Sequence, residues 1–466
     1  MRPNILFFLI DGLRADQCFG KDKTSFTPNI DSLRKKGMYF TNAFTSVDGT
    51  LLSLISIFHS IYPIKTPEVR SKYALQKNNL LDILAENGYE INGLVSDLQS
   101  FTDYTNYFEN NVKTFDYFKY VNKMDQFLLN TSSGVTDKII DFLKSRTSKK
   151  PWFYYIHALT LHPLKEYFAS YDSERELLNQ GIKDFDNEKF GAGLYERTVS
   201  FIDHELGKIL EHIDLDNTIL ILTSDHGERI PYDSIKTVDF QPKLEHAVDF
   251  GKKILPKSAH KIGGEFLYNI RKSVGKRKLN KSNKKLTNYQ KRSRDPYFTL
   301  SLFDELIRVP LLFVGNSIKP RIITKQVRHV DISPTIYELL DIPLDRKISG
   351  KSLISLDDES SQEENPNYLH TMPYHKLSPS DMVGLRTSKH KYFRAARDPK
   401  EDVNLYDLKN DPYENDNIAE TNKELVTQFE KKILQLEKDN LPEYEEKISE
   451  KELQRISNEL KRLGYM

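Results

Sequence analysis

The chain has 466 residues, with 68 Lys or Arg against 67 Asp or Glu, 38% apolar residues and one cysteine, Cys18. Its length exceeds one ordinary core, so a large α/β domain with a smaller second region is the expectation. The balanced charge points to no class of partner, and a single cysteine excludes an internal disulfide and fits a reducing compartment.

Taken in order, residues 4–10 ("NILFFLI") read as a parallel strand buried on both faces, ending at Asp11. This run is too short for a signal core or a membrane span, and no later window approaches roughly 18 apolar residues. A cytoplasmic location is therefore expected. "TPNIDSLRKKG" opens with Thr27-Pro28 and closes at Gly37, the pattern of a helix, and "GMYFTNAF" is the next strand. Thr50 then follows Asp48-Gly49, with Leu51, Leu54, Ile55 and Phe58 at helical spacing behind it. "NNLLDILAENGYEINGLVSD" reads as helix, stop at Gly88, then strand. "KPWFYYIHALTLHP" is a strand running into a loop that carries His162. "YERTVSFIDHELGKILEHIDLDNTILILTSDHGE" is a long amphipathic helix and an apolar strand ending in Asp225-His226-Gly227-Glu228. "IRVPLLFVG" is another strand, and "VDISPTIYELLDIPL" is loop then helix. Strands alternating with helices predict a mainly parallel sheet covered on both sides.

Two segments break the rhythm. Residues 251–294 hold fifteen Lys or Arg and one acid, Glu265, which marks a basic insertion. Such a run is most often a solvated face, and its functional reading is a collar for an anionic glycan, phosphopolymer or lipid head group. No stacking platform accompanies it, so nucleic acid is not the expected partner. The stretch from Ser355 to Asn365 is acidic and reads as a linker or surface loop. The expected division is a catalytic domain over 1–354 and a C-terminal region over 355–466. In that region "MVGLRTSKHKYFRA" and "VNLYDL" suggest short antiparallel strands, and the final stretch looks like exposed helix.

Asp11, Thr50, His162 and Asp225-His226 stand at ends of apolar strands or turns. In open α/β sheets such ends converge on a ligand crevice. Two carboxylates, an imidazole and a hydroxyl suit one divalent cation, and the cation would make the Thr50 hydroxyl a usable nucleophile. Each residue alone has a plainer reading: a strand-end Asp caps a turn, and a Thr after Gly is a helix N-cap.

Together these stretches resemble the sulfatase branch of the alkaline phosphatase superfamily. "PNILFFLIDGLRAD" is similar to the family's opening strand and first metal Asp. "TPNIDSLRKKGMYFTNAFTS" resembles its TPN-x-D-x-L-x-x-x-G-x-x-F-x-N-A segment, and "YIHALTLHP" its substrate-binding His. "LDNTILILTSDHGE" resembles the late metal motif, and "FDELIRVPLLFVG" and "VRHVDISPTIYELLDIPL" the strand and helix that follow. "GLRTSKHKYFR" and "VNLYDLKNDPYENDNIAE" resemble the C-terminal signature. The resemblance implies a three-layer α/β sandwich of alkaline phosphatase type around a mostly parallel sheet, with a small C-terminal α+β region. It implies a divalent metal (Mn, Zn, Ca or Mg, one ion) on Asp11, Thr50, Asp225 and His226. Thr50 takes the nucleophile position, and His162 binds the anion or protonates the leaving group.

The departures shape the expected chemistry. The family's Cys-x-Pro-Ser-Arg core reads Thr50-Leu51-Leu52-Ser53-Leu54 here, so the residue oxidised to formylglycine is absent. Gly12 replaces the second Asp of the usual pair. "GLVSDLQS" has no counterpart of the GKWH segment, and Leu300 stands near an expected His or Lys. His246, His260 and lysines of the insertion are the candidates to replace it. A threonyl ester cannot expel its anion by collapsing to an aldehyde. A phosphoester hydrolase or transferase with a covalent threonyl intermediate is therefore expected. The alternatives are a sulfatase without formylglycine and a degenerate sulfatase fold that binds an anionic polymer.

Overall fold

The computed structural model describes residues 2–64, 78–96, 114–118, 135–147, 149–161, 182–230, 283–294, 301–344, 346–356, 365–371 and 380–440. Packing divides the chain into one unit of Met1–Arg229 with Thr299–Met466 and another of Ile230–Phe298. In the larger unit the elements run β1 (Asn4–Ile10), α1 (Pro28–Lys36), β2 (Met38–Phe44), α2 (Thr50–His59), α3 (Leu80–Glu86), β3 (Glu90–Ser96) and β4 (Thr114–Phe118). They continue with α4 (Val135–Ser145), β5 (Trp152–Ala158), α5 (Leu194–Leu210) and β6 (Thr218–Thr223). The smaller unit contributes one described helix, α6 (Asn288–Arg294), in which Arg292 lies over the Tyr289 ring. Most of the predicted basic insertion, including His260, lies outside the described residues, as do His246 and Leu300.

The larger unit resumes with β7 (Arg308–Val314), β8 (Arg321–Ile323), β9 (Val327–Arg328) and α7 (Ile332–Leu339). It closes with β10 (Asn367–His370), β11 (Met382–Arg386), β12 (His390–Ala395), β13 (Asn404–Asp407) and α8 (Lys423–Asn440). Among the described residues nine strands form one sheet in the order β4-β3-β5-β1-β6-β7-β2-β8, with β9 also on β2. The pairs β3–β4, β3–β5, β1–β5 and β1–β6 are parallel, as are those of β2 with β8 and β9. β7 runs antiparallel to both β6 and β2. The expected mostly parallel sheet is present, with one reversed strand. The continuous apolar run at 308–314 marks burial and carries no sign of direction.

β1 is central and buried from Ile5 to Ile10, because both neighbours are strands and both faces are covered. Ile5, Phe7 and Leu9 share a core with Leu52, Leu54 and Phe58 of α2, Leu80 and Leu84 of α3, and Ile332 and Ile336 of α7. α1, α4 and α5 pack together as a second helix group. There the buried Asp203 of α5 accepts the N–H groups of Asn29 (3.1 Å) and Ile30 (2.8 Å), which caps α1 from another helix. Thr27, at the N-cap position, makes no side-chain cap hydrogen bond itself.

β10 to β13 form the separate antiparallel sheet. α8 was expected to be exposed, but Phe429 and Ile433 are buried and the Phe429 ring stacks on Tyr392 at 5.7 Å. Its abundant Glu and Lys mask that narrow apolar stripe. No helix of the described residues is long and apolar enough to cross a membrane. The acidic segment near 355–365 falls largely outside the described residues.

Candidate active site

Parallel pairing of β5, β1 and β6 brings their carboxyl ends to one edge. Asp11 leaves β1 there, its N–H donating to Ala158 O at 2.9 Å. Gly12 turns the chain at φ +72°, in the left-handed region that glycine enters without strain. Its N–H donates to Asp225 Oδ1 at 3.2 Å, and so does the N–H of His226 at 2.9 Å. Asp225 Oδ1 is thus engaged by two backbone donors. Its Oδ2 is buried, with the Thr50 side chain and the His226 ring facing it.

The His226 ring is oriented by its own neighbour. Nδ1 lies 2.7 Å from Gly227 O, and a carbonyl only accepts, so Nδ1 carries a proton, and in the neutral ring Nε2 holds the lone pair. Nε2 faces Asp225 Oδ2 at 3.4 Å and Asp11 Oδ1 at 3.8 Å. The donor atoms of Asp11, Asp225 and His226 lie within 4.8 Å of one another, all buried. Burial pushes the Asp225 carboxyl up from its ordinary range, and the charge of Asp11 pushes it further. His226 and His157 pull it back only in part. A lone pair aimed at two buried carboxylates is repulsive unless positive charge sits between them. The set therefore fits a divalent cation bound by oxygen and nitrogen donors.

Thr50 is the first residue of α2, and the N-cap is Gly49. The plainer expectation, a capping threonine, is not what the structure shows. The Thr50 Oγ1 lies 3.2 Å from Asp11 Oδ2 and 3.3 Å from His226 Nε2, and the residue is 4% exposed. Every residue of α2 is buried, so the apolar run fixes Thr50 against the strand ends. Ser53, one turn on, donates to Asp225 O at 2.6 Å. That spends its only proton, so His329 Nδ1, 2.9 Å away, is the donor to Ser53 Oγ. Burial holds the His329 ring neutral, its pKa lowered to about 3, with His226 nearby acting in the same direction. The loop before Thr50 is pinned by the C-terminal sheet. Asn367 Nδ2 donates to Thr45 O at 2.8 Å, and His370 N to Ser46 O at 2.9 Å.

The structure therefore brings Asp11, Thr50, Asp225 and His226 together. His162 lies outside the described residues. Sequence reasoning missed His157 of β5, whose Nε2 is 3.4 Å from Asp11 Oδ2, and the His329–Ser53 support. The strand "WFYYIHA" did carry a signal. Phe153, Tyr155 and His157 alternate onto one face, so His157 ends an inward-facing row beside Asp11.

Residues 3–342 match the family described as Sulfatase, and residues 297–439 match the C-terminal family of N-sulphoglucosamine sulphohydrolase. An arylsulfatase of Clostridium perfringens is 24% identical over 328 residues, 52% of this chain and 68% of that protein. Arylsulfatase K of Mus musculus is 30% identical over 144 residues, 29% of this chain and 26% of that protein. The chain thus spans about a quarter of the second relative's length. Among solved structures, a phosphonate monoester hydrolase of Agrobacterium radiobacter superposes with TM-score 0.61 at 16% identity, covering 94% of this chain and 96% of that one.

Proposed function

The chain belongs to the sulfatase family, a family of hydrolases, and from that premise we propose a metal-dependent phosphoester hydrolase or transferase that works through a covalent Thr50 intermediate. The observation that carries this reading is the Thr50 hydroxyl, set at the start of α2 between Asp11 Oδ2 (3.2 Å) and His226 Nε2 (3.3 Å). Asp11, Asp225, His226 and Thr50 would hold the cation. When bound, it supplies positive charge that favours the ionised hydroxyl and the anionic ester.

The chain's own residues account for the remaining steps. Asp11 Oδ2 is the acceptor within reach of the Thr50 proton once His226 Nε2 is engaged by the cation. The Thr50 oxygen forms a bond to phosphorus as the ester P–O bond breaks, and the departing alkoxide takes a proton, a role we assign to His162. Water or an acceptor alcohol then attacks phosphorus and gives its proton back to His162, while the bond from phosphorus to the Thr50 oxygen breaks and Thr50 recovers its proton from Asp11. The N–H groups at the start of α2 favour an anion beside Thr50. Ser53 and His329 keep α2 and the Asp225 loop in register.

An anionic sugar ester is the substrate class we propose. A structure of this fold has been solved with D-glucosamine-2-N,6-O-disulfate as its substrate, at TM-score 0.60, 17% identity and coverage of 96% of this chain. The second reading, sulfate-ester hydrolysis without formylglycine, is favoured by the relatives named arylsulfatase and choline-sulfatase.

Intact-mass trapping with aryl phosphodiesters, phosphomonoesters and sulfates decides between them. The expected result is a phosphoryl adduct on Thr50 that Thr50→Ala cannot form. Thr50→Ala should keep the fold, since Thr50 makes no cap, while turnover falls by several orders of magnitude. Thr50→Ser should retain measurable turnover. A sulfuryl adduct would establish the second reading. Full turnover in Thr50→Ala would refute the covalent mechanism. Absence of both metal and turnover under any divalent cation would leave a degenerate, polymer-binding fold.

A further inference from the structure

Asp11 is a carboxylate with two neighbourhoods. Its Oδ1 faces His226 Nε2 at 3.8 Å, on the side where Asp225 also lies. Its Oδ2 is approached by Thr50 Oγ1 at 3.2 Å and by His157 Nε2 at 3.4 Å. His157 stands outside the three residues whose donor atoms lie within 4.8 Å of one another. It is 3% exposed and is not accounted for by the proposed chemistry.

The tautomer of His157 follows from its partners. A carboxylate oxygen only accepts, so the proton facing Asp11 sits on Nε2. In the neutral ring Nδ1 is then an acceptor, and the Tyr155 hydroxyl, 3.0 Å away, donates to it. Tyr155 is 1% exposed and is locked among aromatic rings, 5.8 Å from Phe7 and 5.3 Å from Phe58. Phe7 lies on β1, the strand that delivers Asp11. Phe58 lies on α2, the helix that delivers Thr50. One rigid tyrosine therefore registers both elements and sets the imidazole between them.

We propose that His157, held by Tyr155, is a positioning residue that donates Nε2–H to Asp11 Oδ2 and thereby turns the other Asp11 oxygen toward Asp225 and His226. The inference rests on the metal reading of that group. Without this hydrogen bond the Asp11 carboxylate loses one of the contacts that fix its terminal torsion, which is otherwise broad, and the cation loses part of the orientation of its oxygen. Side chains that orient a metal-holding group in this way typically affect metal affinity by about 10–100-fold.

The test uses the full chain. In metal-free protein labelled with ¹⁵N-histidine, the His157 nitrogen shifts should report the Nε2–H tautomer. The Nδ1–H tautomer would overturn the inference. In calorimetric titration with Mn²⁺ alone, His157→Leu should weaken affinity by about 10–100-fold. His157→Gln, which keeps an N–H donor, should recover most of that loss. Unchanged affinity in His157→Leu, or a Gln variant no better than Leu, would overturn the positioning role. Should His157→Leu fail to fold, Tyr155→Phe decides: weaker Mn²⁺ binding supports the role and parental binding overturns it. A parent chain that takes up no Mn²⁺ yet shows the Nε2–H tautomer overturns the metal reading. A parent that binds Mn²⁺ with the Nδ1–H tautomer overturns this inference alone.

Discussion

Asp304 ties the strand-β7 end of the large sheet to the C-terminal sheet, and its neutralisation should be costly. It forms a bidentate pair with Arg386, Oδ1 to Nε at 2.9 Å and Oδ2 to Nη2 at 2.8 Å. Lys391 Nζ reaches the same carboxylate at 2.6 Å, Glu414 at 2.6 Å and Leu302 O at 2.8 Å. The Lys391 side chain is 0% exposed, that of Arg386 7% and that of Asp304 16%. Asp304→Asn keeps the shape and removes one of two negative charges facing two buried cations. Breaking a buried pair on one side costs about 3–5 kcal/mol. Asn retains an acceptor and Glu414 still holds Lys391, so about 3 kcal/mol is expected. Burial alone would raise the Asp304 carboxyl, but Arg386 and Lys391 outweigh it and hold the carboxyl well below the usual carboxylate range. A depressed folded pKa gives stability that is full above the unfolded value of about 3.9 and fades as pH falls below it. Urea unfolding followed by circular dichroism should show the full parent–variant gap at neutral pH and a shrinking gap under acid. A gap below about 1 kcal/mol at neutral pH, or one that widens with acid, would refute the clasp.

Gly227→Ala would place a methyl 2.2 Å from Glu305 O, in the turn whose Leu306 O accepts the Gly227 N–H. The Asp225-His226 loop must then shift. A stability loss of about 1–3 kcal/mol in urea, with weaker Mn²⁺ uptake, is expected, and unchanged uptake would contradict the close packing. Ser53→Ala leaves the Asp225 carbonyl and the His329 Nδ1–H without the hydroxyl between them. A loss of about 1–3 kcal/mol is expected with little change in overall secondary structure, read by urea unfolding and circular dichroism.

Elements whose physics is local could be read from sequence. Pro28 at a first helical turn, Gly88 after Leu80–Glu86 and the unbroken apolar run of β1 each declare themselves within a few residues. Strand direction does not, because β7 has the same run whether parallel or reversed. Nor did the buried stripe of α8, where Phe429 and Ile433, with Leu425, Val426 and Leu436 beside them, sit among many charges. The cap of α1 was hidden for another reason. Asp203 supplies it from a helix over 170 positions away, and no window of sequence holds both.

The site divides along the same line. Asp11 and Asp225-His226 were legible because a polar group ending an apolar strand is anomalous where it stands. Thr50 was legible only as an alternative, since a threonine after glycine at a helix start serves equally as a cap. The geometry separates the two: a cap would turn its hydroxyl back to the helix N–H groups, and Thr50 turns it to Asp11 and His226. His157 was passed over because His162 stands five residues on, in a loop that the family resemblance marks. A histidine inside a strand of aromatic residues reads as core. Its position becomes meaningful only through the register Leu9↔His157, which sets it beside the end of β1, and through the Tyr155 hydroxyl two residues back on the same face. Register belongs to the sheet and not to either strand, so residues that orient a metal-holding side chain from the next strand are the part of such a site that a single sequence conceals.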